Sequence, residues 1–409
     1  MRSHRVDWYH QLPPHVKEII LRLQGAGRRA FVAGGAVRDL FLGVSPKDFD
    51  LVSEASPEEI ASLFPKTLDV GKQFGIMVVV TDAGPVEIAR FRTDGAYTDG
   101  RHPTEVSFTN PEEDAKRRDF TINALFYDPA AGEVIDYVNG LPDIEARIIR
   151  CVGDPAARFQ EDALRMLRTI RFQAQLDFQL GPGIVSAIRA QSGRLSLVSR
   201  ERITQEMDRI FASGQPMLGL AGLVETGLWS HVFGTIEPEA SVLTRLGELG
   251  PTFTAGFHEA PPMGLFYAGI GLWVSGEDLE KLFVLPKEMK AMIRALPDEI
   301  TRLTAYSKLE LADRKTALAS PYFKYAWTLL TAQNEAALPW LARLPIERAE
   351  AEKSGRLDPP ALLRGQDLLE LGIPAGPKIK ELLAMVRREQ LNEKIATREQ
   401  AVALVTSAK

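Results

Sequence analysis

The sequence predicts an α+β head with a mixed sheet, followed by an all-helical remainder. Three observations carry that expectation. Short apolar runs at 30–33, 49–53, 75–81 and 85–90 alternate with helix-like pieces up to about residue 150. From Phe159 onward nearly every segment has helical spacing, punctuated by Gly-Pro at 181–182 and 250–251 and Pro-Pro at 261–262 and 359–360. A chain of 409 residues also exceeds one compact core, so two to four domains are expected.

Along the head, Val16, Ile19, Ile20 and Leu23 fall on one helical face and predict a helix over 15–28. The run 30–33 then meets the Gly34-Gly35 pair, and helix-like pieces at 36–42 and 57–64 flank the strand 49–53. Asp82-Ala83-Gly84-Pro85 is a turn between the strands 75–81 and 85–90. Asn139-Gly140 and Leu141-Pro142 read as a turn feeding a short helix, and the texture changes after Gly153-Asp154-Pro155. There is no repeat and no low-complexity tract.

Composition is that of a soluble globular chain, at 45% hydrophobic, 25% charged and 8% aromatic residues. A net charge of −5 excludes a globally basic nucleic-acid binder, so any RNA contact must come from a local patch. Residues 158–209 supply one, with nine arginines against six acids. Cys151 is the only cysteine, which excludes an intramolecular disulfide and a cysteine-rich zinc site and fits a reducing cytoplasm. The N-terminus lacks an apolar signal core and no run of eighteen apolar residues occurs, so no membrane partner is expected. Six scattered histidines, none beside an aspartate, offer no phosphohydrolase-type metal site. Nothing in the sequence specifies an oligomeric state.

The segment Phe31–Leu51, FVAGGAVRDLFLGVSPKDFDL, carries the first chemistry. Residues two apart on a strand share a face, so Asp48 and Asp50 are expected to project together while Phe49 and Leu51 pack behind. Two carboxylates just after a Gly-Gly turn suit Mg²⁺ and a nucleoside triphosphate, because the hard cation takes one or two carboxylates plus substrate phosphates. With Gly34, Gly35, Arg38-Asp39 and Gly43 ahead of the acids, the segment resembles the opening motif of the tRNA nucleotidyltransferase and poly(A) polymerase family, a branch of the polymerase-β-like nucleotidyltransferases.

That resemblance implies a third carboxylate on a neighbouring strand, so that two metals roughly 3.5–4 Å apart serve the α-phosphate. Glu87 in Pro-Val-Glu-Ile-Ala-Arg-Phe-Arg fits, with Val86 and Ile88 facing the core. KRRDFTINAL at 116–125 is similar to the family's second motif, which contacts the ribose; Asp119 and Asn123 are the acceptor and donor types, and Arg118 is placed to reach the triphosphate. Glu161-Asp162-Ala163-Leu164-Arg165 through Phe172 is the next signature. Read as one helix, it aligns Asp162, Arg165, Arg168 and Arg171 in a stripe beside the apolar Leu164, Leu167, Ile170 and Ala174. The stacked cations repel by roughly a few tenths of a kcal/mol per pair, which an anionic triphosphate relieves. A salt-bridged face joining Glu161 and Asp162 to Arg165 is the plainer alternative.

In the resembled family this segment templates the incoming base. A carboxylate only accepts and a guanidinium only donates, which matches the amino group and acceptors of cytosine and adenine but not uracil or guanine. Unpaired polar groups in such a site discriminate by on the order of 10⁴. The segment 136–143 corresponds to a hinge, and Ser199–Met207 to a fifth motif read here as structural support. Val70–Gly75 and Phe91–Pro103 are similar to the bacterial, class II CCA-adding type, the latter to its flexible loop. The tail from Gly365-Gln366-Asp367 to Lys378 resembles the RNA-holding end, where a glycine-opened helix could take a phosphate.

The implied division is a head at 1–150, a neck at 151–215, a body at 216–360 and a tRNA-binding tail at 361–409. The implied activity is template-independent CCA addition to the 3′ end of tRNA from CTP and ATP. A poly(A) polymerase, a CC-only or A-only enzyme, and a non-catalytic RNA-binding protein with this fold remain alternatives.

Overall fold

Ala30, Phe31, Val32 and Ala33 are buried at every position, as a central strand requires. A computed structural model of the chain describes residues 2–71, 74–95, 105–272, 276–334 and 338–408. Lys72 and Gln73 of the Val70–Gly75 segment, and residues 96–103 of the Phe91–Pro103 segment, lie outside the described residues. The chain divides into two compact units, Met1–Glu237 and Pro238–Lys409.

The first unit runs β1 (Arg2–Arg5), α1 (Pro14–Gly25), β2 (Ala30–Ala33), α2 (Gly35–Phe41), β3 (Asp50–Ser53), α3 (Pro57–Leu63), β4 (Thr67–Gly71), β5 (Ile76–Thr81) and β6 (Gly84–Arg90). It continues with β7 (Arg92–Asp94), β8 (Val106–Phe108), α4 (Pro111–Lys116), β9 (Leu125–Asp128), β10 (Glu133–Asp136) and α5 (Gly140–Glu145). Helices α6 (Pro155–Glu161), α7 (Leu164–Leu176), α8 (Ile184–Gln191) and α9 (Arg200–Phe211) follow.

Eight strands form one sheet in the order β1-β10-β9-β2-β3-β6-β5-β4. Its neighbours are antiparallel except β3 and β6, which run parallel with Leu51 beside Ile88. The sheet is therefore mixed, as expected. Phe31, Phe91 and Phe126 pack edge-to-face beneath it, with ring centroids 5.6 and 6.0 Å apart. α3 starts at Ser56, whose hydroxyl accepts from Glu59 N while Glu59 accepts from Ser56 N, a reciprocal cap.

The second unit is helical. The indole of Trp327 packs on Phe257 at 5.1 Å and donates through Nε1 to Leu341 O. Toward the C-terminus, Leu368, Leu382, Val386, Ala401 and Val405 form a small separate core. The helix opened by Gly365 spans only Gly365–Glu370, and Asp367 accepts from Arg364 N at 2.6 Å and pairs with Arg398. An acid thus already satisfies that helix start, which weakens the expectation that it takes a phosphate. No helix among the described residues is long and apolar enough to cross a membrane.

Candidate active site

Strand β3 ends the approach of the first acids to a cleft of about 560 Å³. Asp50 is its first residue and is exposed, while Leu51, Val52 and Ser53 are buried. Asp48 precedes the strand; it is exposed and does not line the cleft, because the extended pairing begins only at Asp50. On β6, Val86 and Ile88 are buried and Glu87 is not, so the expected alternation holds. The β3–β6 register sets Leu51 beside Ile88, which brings Asp50 and Glu87, each one residue earlier, to the same height on adjacent strands. Both side chains reach solvent, but the protein packed around them in the cleft keeps water from part of each carboxylate and raises both above their ordinary range; Asp48 adds to the rise at Asp50, and Asp50 adds to it at Glu87. Among the described residues, no three His, Cys, Asp or Glu side chains are drawn together closely enough to hold a metal ion. Asp50 and Glu87 are nonetheless a hard-oxygen donor pair crowded by like charge, which a divalent cation fits.

The Gly-Gly turn lies beside them, since Ala33 pairs with Asp50 and Gly34 follows directly. Gly34 has φ 72°, and a Cβ there would stand 3.2 Å from Arg118 Nη1, so glycine serves both the turn and the close approach of that guanidinium. Arg38 on α2 is buried; it donates from Nη1 to Asn123 Oδ1 at 2.6 Å and from Nη2 to Asp39 at 2.6 Å. Asn123 is thus tied to α2. Asp119 receives Arg168 through Nε at 2.8 Å and through Nη2 at 2.5 Å, and also accepts from Phe120 N. Arg118 donates to Asp114 and, through Nη1, to Asn123 O at 3.1 Å.

Asp162 is not on the helix with the arginines. It terminates α6 with extended backbone, φ −141° and ψ 109°, and α7 begins at Leu164. Its Oδ1 accepts from Leu164 N at 2.9 Å and its Oδ2 from Arg202 Nη2 at 2.8 Å. Arg165 pairs with Glu161 and donates to Arg158 O, so the Glu161–Arg165 half of the plainer salt-bridge reading is present. Arg171 and Arg168 reach the buried Glu206 of α9, at 2.7 and 3.9 Å. Burial lowers the Arg171 guanidinium to about 10 against the pull of Glu206. The Arg38, Arg168 and Arg171 guanidiniums surround the Phe172 ring at 5.3, 5.5 and 3.7 Å.

Of the residues singled out in the sequence, the cleft gathers Gly34, Gly35, Arg38, Asp50, Glu87, Arg118, Asp119, Asn123, Asp162, Arg165, Arg168 and Arg171. It adds Arg92, Arg117 and Arg202, which sequence reasoning left out or treated as support. Eight arginines face four carboxylates along its wall, an excess suited to a polyanion.

A mixed sheet carrying acids on adjacent strands, beside a Gly-Gly turn and a guanidinium-rich wall, defines a nucleotidyltransferase. A family profile described as "Poly A polymerase head domain" matches residues 30–150, and one described as "Probable RNA and SrmB- binding site of polymerase A" matches 177–242. The CCA-adding enzyme of Bacillus licheniformis is 34% identical over 94% of this chain and 95% of its own length. That of Geobacillus stearothermophilus is 35% identical over 94% of each. The crystal structure of the Bacillus stearothermophilus CCA-adding enzyme in complex with CTP superposes with a TM-score of 0.75 at 29% identity, covering 97% of this chain and 98% of that one. The Thermotoga maritima CCA-adding enzyme complexed with tRNA shares the fold, with a TM-score of 0.69 at 20% identity and full coverage of both chains. The chain belongs to the CCA-adding family of tRNA nucleotidyltransferases.

Proposed function

We propose that this chain adds C, C and A in turn to the 3′ end of tRNA, using CTP and ATP, and that Asp48, Asp50 and Glu87 hold Mg²⁺ for the transfer. The primer's 3′-oxygen attacks the α-phosphorus, the bond to the β-phosphate's bridging oxygen breaks, pyrophosphate leaves, and the hydroxyl proton passes to water. Mg²⁺ would lower the hydroxyl's pKa and neutralise the departing charge. The protein's own groups bind and orient. Arg118 and its neighbours take the phosphates, Asp119 and Asn123 address the ribose, and Asp162 with Arg165 reads the base.

The observation that carries this reading is the side-by-side placement of Asp50 and Glu87 on the one parallel strand pair of the eight-stranded sheet, opening on an arginine-lined cleft. Asp162 suits the base-reading role because a carboxylate has about four acceptor sites, and Leu164 N with the two Arg202 N–H groups occupies three. Residues 1–150 would then be the catalytic head, 151–215 the neck carrying the base-reading pair, 216–360 the body and 361–409 the tRNA-binding tail. A reducing cytoplasm suits the single, buried Cys151.

The D48A/D50A double variant tests the reading. It is expected to abolish incorporation and leave tRNA binding intact; chelation should silence the wild type and Mg²⁺ restore it. Retained turnover in the double variant would overturn the assignment.

A further inference from the structure

Asp114 on α4 has no exposed surface and does not itself line the cleft. Its two oxygens are divided between two guanidiniums. Oδ1 accepts from Arg117 Nε at 2.9 Å and pairs with Nη2 at 2.7 Å. Oδ2 accepts from Arg118 Nε at 3.1 Å and Nη2 at 3.0 Å. In each contact the Nε and Nη2 edge of the guanidinium closes on a single carboxylate oxygen, so each arginine is held by two charge-assisted N–H contacts. Oδ1 also receives Arg92 N at 3.3 Å, so the same carboxylate is tied to the start of β7.

Neutralising one buried arginine would need one carboxylate. Here Asp114 holds two, and Asp94, 3.6 Å from Arg117 Nη1 and 3.0 Å from Arg92 Nε, is shared in turn. Two carboxylates thus face the three guanidiniums of Arg92, Arg117 and Arg118, and a net positive charge is left at the cleft wall. Both arginine side chains stay partly open, at 20% and 18%, where Asp114 is closed at 0%. Each has a second anchor on the protein. Arg117 donates to Arg92 O at 3.1 Å, and Arg118 to Asn123 O while lying 4.9 Å over the Phe126 ring. Arg118 is thereby laid against Gly34, where β2 meets α2. Without the carboxylate, two adjacent cations would repel and turn apart.

We infer that Asp114 is a positioning residue for triphosphate binding: it presets Arg117 and Arg118 side by side so that their remaining N–H groups meet the phosphate tail of the incoming nucleotide. The inference rests on the nucleotidyl-transfer reading and goes beyond it in naming what aligns the arginines. Burial alone would raise the Asp114 carboxyl, but Arg118 and then Arg117 hold it below the ordinary range, so it stays an anion.

The test is calorimetric binding of CTP and CMP, with Mg²⁺ present, to wild type, D114N, D114E, R118K and D114N/R118K, each first checked for folding by near-ultraviolet dichroism. A general loss of structure moves both ligands, whereas misaligned phosphate arginines move their ratio. D114N is expected to cut the preference for CTP over CMP about ten-fold and leave CMP affinity within about two-fold. The double variant should lose more preference than R118K alone, because Arg117 is also released, but less than the two single losses combined, because Asp114 acts in part through Arg118. D114E, which keeps the charge but shifts it by one methylene, should cut the preference about three-fold and serves if D114N does not fold. An unchanged ratio in a folded Asp114 variant, equal loss of CTP and CMP, or additive losses would each overturn the inference. Wild type binding CTP no better than CMP would instead overturn the reading of the cleft itself.

Discussion

Arg202 on α9 donates through Nη2 to Asp162 Oδ2 at 2.8 Å, across a separation of 40 residues. Asp162 has no helix of its own to hold it, since it sits in the break between α6 and α7. The N–H of Leu164 fixes one carboxylate oxygen and Arg202 fixes the other. The fifth motif therefore does more than pack: through Arg202 and Glu206 it holds both the acid before α7 and the arginines along it.

Replacing Arg202 with Gln should free the Asp162 carboxylate to rotate. Losing one charge-assisted partner costs about 1.5–3 kcal/mol, which corresponds to roughly ten- to hundred-fold in kcat/KM for CTP and ATP. Misincorporation of UTP and GTP should rise in the same variant. Primer extension with each triphosphate alone measures both.

Asp50→Asn should raise stability at neutral pH while removing activity. Its carboxyl is raised in the folded state, chiefly by partial loss of water inside the cleft and further by Asp48, against the pull of Arg118, so the anion opposes folding. The acid's favourable state is the protonated one, present below the unfolded pKa and lost as pH rises through the folded pKa. The gain from Asn should therefore be seen at pH 7 and vanish toward pH 3. Urea midpoints at both pH values, without divalent cation, check the sign.

Asp119 behaves oppositely. Burial works against its charge, but the paired Arg168 brings its carboxyl below the ordinary range. Its contribution is full above the unfolded value and fades as pH falls through the folded one. Arg168→Met should destabilise by about 3 kcal/mol at pH 7 by stranding a buried anion. That penalty should shrink as pH falls, because the carboxyl stranded without Arg168 is raised by burial and takes up a proton more readily than the paired one.

Gly140 is expected to tolerate no side chain. A Cβ there would lie 2.2 Å from Thr121 O, a backbone atom that cannot move aside. Gly140→Ala should cost about 3 kcal/mol or more, measured by thermal or urea unfolding, although the residue does not line the cleft. Gly35→Ala, whose Cβ would meet only Arg38 Nη2 at 3.6 Å, should cost far less stability.

The strands at 30–33, 49–53, 75–81 and 85–90 were legible because each combines an apolar run with a turn signal at its end, and the structure places strands at Ala30–Ala33, Asp50–Ser53, Ile76–Thr81 and Gly84–Arg90. β1 was not, since Arg2–Arg5 is exposed at all four positions and owes its extended form to pairing with β10. Glu87 was legible from its alternation with Val86 and Ile88, and Arg118, Asp119 and Asn123 from one continuous motif. The break at Asp162 was hidden because Leu164, Leu167 and Ile170 keep helical spacing past it, and only Asp154 capping a short α6 hints at an early stop. Asp114 was missed because a buried acid and an exposed one look alike in Pro-Glu-Glu-Asp-Ala-Lys.

The most direct measurement is nucleotide incorporation into three tRNA transcripts, ending at the discriminator base, after one C and after CC, with each triphosphate alone and with CTP plus ATP. The account predicts growth of each transcript to CCA and no further when both are supplied, with UTP and GTP refused. A halt at CC, action only on the CC-ended transcript, or long A tails would contradict it, as would tight tRNA binding with no incorporation at all.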